Sequence, residues 1–141
     1  MGKITIRRPE DTAFVSTGAA ATEEMKARYG QGELSSSNRP IFPSSDESLQ
    51  LFEVSLDPDT EIQPHAHSSA EIIVVTGGEI IFGTQRCQAG GAIFVDGNTL
   101  YGFRAGPDGC RFYNFRPVPK AEYITKDEFV ARRRTAPSAA P

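Results

Sequence analysis

Between Leu49 and Arg116 the chain repeats one texture: short runs that alternate apolar and polar residues, each closed by Gly, Asp, Asn or Pro. Leu49-Gln50-Leu51-Phe52-Glu53-Val54-Ser55-Leu56 alternates and ends at Asp57-Pro58-Asp59. Residues 62–67 form the next run. Glu71-Ile72-Ile73-Val74-Val75 is strongly β-branched, and Thr76-Gly77-Gly78 then predicts a hairpin turn into residues 79–83. Turns are also predicted at Gly90-Gly91, at Asp96-Gly97-Asn98 and at Gly106-Pro107-Asp108-Gly109, with strands over 86–88, 92–95, 100–105 and 110–116. Strand side chains alternate between faces, so this texture buries one face of every run. No β-helix-β alternation interrupts it. The fold class that follows is all-β, a sandwich or a barrel.

The flanks read differently. Residues 3–7 alternate as a short strand. Thr22 is placed to cap a helix over residues 22–29, with acidic residues in its first turn and Gly30 at its end. Residues 30–47 are rich in Gly, Ser, Pro and Asn and read as one long loop, either a lid or binding loop or a plain connection. Thr125-Lys126-Asp127-Glu128 is a capping box that starts a C-terminal helix to about Arg133, and the Ala/Pro/Ser-rich stretch 135–141 reads as frayed. A chain of 141 residues suits one domain. Its expected parts are an N-terminal strand, short helix and loop (1–47), a barrel (48–118), and a helix with tail (119–141).

Composition narrows the function classes. The net charge of -3 argues against nucleic acid or an anionic membrane as partner. Arg132-Arg133-Arg134 is the only basic run and reads as a solvated end. The 2 cysteines, Cys87 and Cys110, form no CxxC pair, and a reduced setting is the default. They read as packed groups, not as nucleophiles. The N-terminus lacks the apolar core of a secretion signal, and Ile6 stands where myristoylation requires Ser or Thr. The expected location is cytoplasmic.

The chain has 2 histidines, and both fall in Pro64-His65-Ala66-His67-Ser68-Ser69-Ala70-Glu71. On a strand, His65 and His67 point to the same side. A turn at Ser68-Ser69 can bring Glu71 back to them. Two neutral imidazoles and a carboxylate suit a divalent transition metal. Gln63 shares the histidine face by the same parity, and Cys110, Phe112, Asn114 and Arg116 share one face of the last strand.

Residues 49–117 resemble a cupin, the small double-stranded β-helix of the jelly-roll type. The family's first motif runs G-x5-H-x-H-x3-E-x6-G; His65, His67, Glu71 and Gly78 match it, and Asp59 replaces the leading Gly. The second runs G-x5-P-x-G-x2-H-x3-N. Gly90 matches, while Asp96, Asn98, Tyr101 and Ala105 stand at the Pro, Gly, His and Asn positions. The resemblance implies a cupin barrel with short N- and C-terminal helices. It also implies a metal held by His65, His67 and Glu71, without the family's third histidine. Two His and one carboxylate with open positions are the ligand set of non-haem Fe(II) oxygenases. Fe(II) is therefore favoured, with Mn, Ni, Zn and Co as alternatives and weak or absent metal binding as the other consequence.

Tyr101 at the missing position has three roles open: phenolate ligand, hydrogen-bond donor to substrate, or packing. Gln63, Tyr101, Phe112 and Asn114 are the candidate substrate contacts, and Glu71 and Tyr101 the candidate catalytic groups. Three functions follow. The first is a metal-dependent enzyme acting on a small organic molecule in the cavity, as an Fe(II) dioxygenase or a Lewis-acid isomerase or lyase. The second is a non-catalytic small-molecule-binding cupin. The third is a metal-free cupin enzyme using His and Tyr acid–base chemistry. The partner expected is a second copy, a homodimer, with the 3–7 strand as a candidate addition to the neighbour's sheet.

Overall fold

The computed structural model describes residues 2–43, 45, 48–117 and 121–135. Its strands are β1 (Val15–Ser16), β2 (Ser37–Phe42), β3 (Gln50–Leu56), β4 (Glu61–His67), β5 (Glu71–Phe82), β6 (Gln85–Gln88), β7 (Ala92–Val95), β8 (Tyr101–Arg116) and β9 (Tyr123–Thr125). All pairings are antiparallel. The protein is an all-β jelly roll.

Two long strands build it. The C-terminal half of β8 pairs with β3 on one side and with the start of β5 on the other. The N-terminal half of β8 pairs with β4, and also with the end of β5. β5 in turn carries β7 on its first half and β6 on its second. Two sheet halves are thus joined around a corner by β5 and β8. This removes two of the turns expected from sequence. Thr76-Gly77-Gly78 and Gly106-Pro107-Asp108-Gly109 both lie inside continuous strands. Gly78 faces Cys110 and Ile80 faces Ala105, so residues 106–109 bulge out as the outer side of the corner.

Glycine makes the corner. Gly78 and Gly109 have φ of 62° and 78°. A Cβ on Gly78 would lie 2.1 Å from the Gly109 carbonyl oxygen, and one on Gly109 would lie 2.6 Å from that of Leu56. Both left-handed backbone and close approach exclude a side chain. Gly78→Ala is therefore expected to cost about 2–3 kcal/mol or more, read as a lowered urea midpoint. The hairpin predicted at residues 76–78 falls instead at Gly83-Thr84, where Phe82 faces Gln85 and Gly83 has φ of 58°.

The interior of the barrel is filled by Leu56, Ile62, Ile73, Val75, Ile80, Ala105, Cys110 and Phe112. Cys87 packs against this cluster and Cys110 belongs to it; burial pushes the Cys110 thiol up to about 11, so it stays a thiol.

The N-terminal segment is more ordered than its composition suggests. Three short helices, α1 (Thr17–Ala20), α2 (Glu23–Arg28) and α3 (Gln31–Ser35), precede β2. Thr22 Oγ1 caps α2 by accepting from Met25 N, as the sequence predicts, but Gly30 caps the start of α3 rather than only ending α2. Residues 31–35 and 37–42, expected to be loop, are thus a helix and a strand. β2 tolerates Pro40 because the register with β3 slips between Pro40 and Phe42. Residues 3–7 form no strand; Ile4 is 91% and Ile6 64% exposed, because no sheet edge runs alongside to take their backbone groups. At the other end the capping box is present. Thr125 Oγ1 accepts from Glu128 N, and Glu128 Oε1 accepts from Thr125 N. It opens α4 (Lys126–Thr135), which runs two residues past the predicted end. Of the tail expected to fray at 135–141, Thr135 closes α4; residues 136–141, and the expected part boundaries at 47 and 118, lie outside the described residues. No helix among the described residues is long and apolar enough to cross a membrane.

Candidate active site

The histidines reach the interior because β4 is irregular. Proline has no N–H to give the ladder, and the pairing of β4 with β8 slips between Ile62 and His65. Gly102 of β8 lies opposite, where a Cβ would meet Ile62 O at 2.8 Å and Pro64 N at 3.0 Å. After the slip, Ile62, His65 and His67 all line one cavity of about 230 Å³. Gln63 does not. Simple strand parity put it on the histidine face; the bulge turns it outward, where its amide donates to Arg28 O (3.0 Å) and Tyr123 Oη (3.2 Å). Gln63 is therefore behind the cavity wall, not a substrate contact.

His65 and His67 are 4% and 8% exposed, and their rings meet edge to face at 4.9 Å. His65 Nδ1 lies 2.8 Å from Gln63 O, and His67 Nδ1 3.3 Å from Glu122 O. A carbonyl only accepts, so each Nδ1 carries the hydrogen and each Nε2 a lone pair. Burial pulls both imidazoles below the usual range. For His67 the guanidinium of Arg116 adds to this and takes it to about 3. Both rings are neutral at neutral pH.

Glu71 opens β5 and is 2% exposed. It accepts from Tyr101 Oη, from Asn114 Nδ2 at 2.5 Å and from Arg116 Nε at 3.0 Å. Burial alone pushes its carboxyl up; the Arg116 cation and the hydrogen bonds from Tyr101 and Asn114 outweigh that and hold it below the usual carboxylate range. Asn114 is oriented by Gln50 Nε2, which donates to its Oδ1 at 2.8 Å. The structure thus brings His65, His67, Glu71, Tyr101, Phe112 and Asn114 together. Tyr101 is a neutral donor to Glu71: burial first, then the charge of Glu71, push its phenol well up.

Arg116 is the residue whose role sequence reasoning missed. Strand parity already put it on the face of Phe112 and Asn114, but nothing local shows that it meets His67. Its Nη2 donates to His67 Nε2 at 2.9 Å while its Nε holds Glu71. Tyr29 and Tyr123 were missed too. Tyr123 stacks on His65 at 4.8 Å and 6°, and Tyr29 lies 4.7 Å from Tyr123.

This arrangement bears on the metal. The two Nε2 lone pairs have the tautomer that metal ligation needs, each with Nδ1–H fixed by a carbonyl. The carboxylate does not fit. Glu71 is engaged by three donors, and the Arg116 cation sits on both Glu71 and His67 where a metal would bind. Among the described residues no group of three or more His, Cys, Asp or Glu is assembled to hold a metal ion.

No protein-family model and no curated protein sequence matches the chain. Solved structures do. A polyketide cyclase from Streptomyces resistomycificus is similar at 18% identity and TM-score 0.65, over 94% of both chains. An acetylacetone dioxygenase from Acinetobacter johnsonii is similar at 14% identity and TM-score 0.60, over 91% of this chain and 81% of that one. An RmlC-like cupin from Shewanella frigidimarina is similar at 19% identity and TM-score 0.59, over 84% and 95%. The chain has the cupin fold, as the resemblance implied.

Proposed function

We propose that this protein binds a small organic molecule with a carbonyl, enol or carboxylate oxygen inside the barrel and moves protons on it without a metal. The carrying observation is the Glu71–Arg116–His67 clasp, in which a guanidinium takes the cation's place. Arg116 spends Nε on Glu71 and Nη2 on His67, and Nη1 has no hydrogen-bond partner among the described residues. That N–H is free to receive a developing oxyanion. His65, neutral and with its Nε2 lone pair available beside the cavity, is the base. It takes the proton from carbon next to a carbonyl; the C–H electron pair moves into the new C=C bond, and the carbonyl pair moves to the oxygen held by Arg116. Return of the proton at another atom completes an isomerisation, or the first step of a cyclisation or elimination. Tyr101 and Asn114 keep Glu71 charged, and Glu71 keeps Arg116 in place.

The test is deuterium uptake from heavy water by a panel of enolisable ketones and keto acids, followed by NMR with a chelator present. Enzyme-dependent exchange is expected, with His65→Ala slower by about a hundred-fold. Exchange that needs added metal, or that ignores His65, overturns the proposal. A second reading is favoured by the two carbonyl-anchored Nδ1–H groups: His65 and His67 would hold Fe(II) or a related ion through Nε2, and Glu71 would join them only with Arg116 displaced. Elemental analysis of protein purified without chelator decides between the two, since stoichiometric metal supports only the second.

A further inference from the structure

The cavity has a second acid, and the barrel does not supply it. Glu33 comes from α3, in the segment that reads as loop, and lines the same cavity as His65 and Arg116. Its position is built. A Cβ on Gly32 would meet Glu61 O at 1.8 Å, and one on Gly30 would meet the Gln63 side chain at 2.8 Å. Only glycine lets α3 lie this close to β4. Glu33 Oε1 accepts from Tyr123 Oη at 2.9 Å and from Gly30 N at 3.4 Å. Tyr123 in turn stacks on His65, so the carboxyl is tied to the ring named above as base. Oε2 has no hydrogen-bond partner among the described residues. No buried side-chain oxygen or nitrogen among them lacks a partner, so Oε2 is reachable from the cavity or solvent. No basic side chain pairs with Glu33 among the described residues, unlike Glu71 with Arg116.

We propose that Glu33 is a specificity-determining residue. It hydrogen-bonds a hydroxyl of the ligand, phenol or enol, while the opposite oxygen meets Arg116. This deepens the reading above and rests on it. The rings of Tyr29, Phe52, Phe103, Phe112 and Tyr123 around the cavity suit a planar ring between those two poles. The ligand class is therefore a small ring carrying a hydroxyl and an anionic or carbonyl oxygen. Burial raises the Glu33 carboxyl to about 7, so near neutrality it can accept from a hydroxyl or donate to one.

Calorimetric titration of the full chain with 4-hydroxybenzoate and benzoate tests this. Wild type is expected to prefer the hydroxylated probe by about ten-fold or more, the worth of a hydrogen bond to a charged group. In Glu33→Ala, and in Glu33→Met, which fills the space, the preference is expected to fall below about two-fold. Circular dichroism melting confirms that the variants fold. A preference that survives in both folded variants, or that is absent in wild type while benzoate binds, overturns the role of Glu33 and leaves the Arg116 pole standing. Failure of wild type to bind either probe overturns the reading of the cavity itself.

Discussion

Arg116→Met is expected to lower the unfolding free energy by about 3–5 kcal/mol, because it strands a carboxylate. The Glu71 side chain is 1% exposed and that of Arg116 is 18% exposed, so neither charge is well served by water. Methionine keeps much of the volume and removes the cation. Glu71 is then left with Tyr101 and Asn114 as donors but no countercharge, and His67 Nε2 loses its donor. Adding Glu71→Gln to the same chain removes the stranded charge, so the double variant is expected to regain a large part of the loss. Urea unfolding of wild type, Arg116→Met, Glu71→Gln and the double variant at pH 7, with chelator present, measures both effects. A loss under about 1 kcal/mol in the single variant would show that the ion pair does not organise the site.

Acidification is the second large effect, and its sign follows from the histidines. Their folded values lie below 6.5, His67 at about 3. Below pH 6.5 the unfolded chain takes up protons that the folded chain refuses, so stability falls as the pH drops. For His67 alone the slope is about 1.4 kcal/mol per pH unit between roughly 6 and 4. His65 adds in the same direction. Glu71, depressed below 4.5, adds its loss only at lower pH, as the solution falls through its folded value. Glu33 opposes them. Its folded value is raised to about 7, so its contribution is present below 4.5 and is lost as the pH rises through 7. Between 4.5 and 7 Glu33 offsets much of the imidazole loss; below 4.5 its opposition fades, and His67 and Glu71 lose stability together. His67→Gln, which keeps an acceptor for Arg116, is expected to flatten the curve. Equal urea midpoints at pH 7 and 4.5 in Glu33→Gln, which lacks the opposing carboxyl, would contradict the burial of neutral imidazoles.

The same contrast between short windows and long contacts separates what was legible from what was not. Strand texture, the cap at Thr22 and the box at Thr125–Glu128 depend on neighbours a few residues away, and they appear as read. His65 and His67 line one cavity, and Glu71 lies across Arg116 from His67. The glycines at 78 and 109 were visible as turn signals, but a turn and a bent strand use the same backbone conformation. Only the partner strand distinguishes them, because β5 and β8 keep pairing through both. Residues 62–67 read as one regular strand; the slip beside Pro64, and with it the displacement of Gln63, depended on Gly102 across the ladder. Residues 30–42 looked like loop because Gly and Ser are poor local formers of helix and strand; contact with β4 and β3 overrode that.

The amino-acid order by itself determined an all-β shell with two imidazoles on one strand and an acid at the start of the next. The packed chain alone decided what fills the space between them. Arg116 lies forty-five residues from Glu71, and Glu33 ninety from Tyr123, so neither encounter leaves a periodic or short-range trace. Charge pairing and burial are set by which distant strands and helices are brought side by side, and that is a property of the tertiary fold.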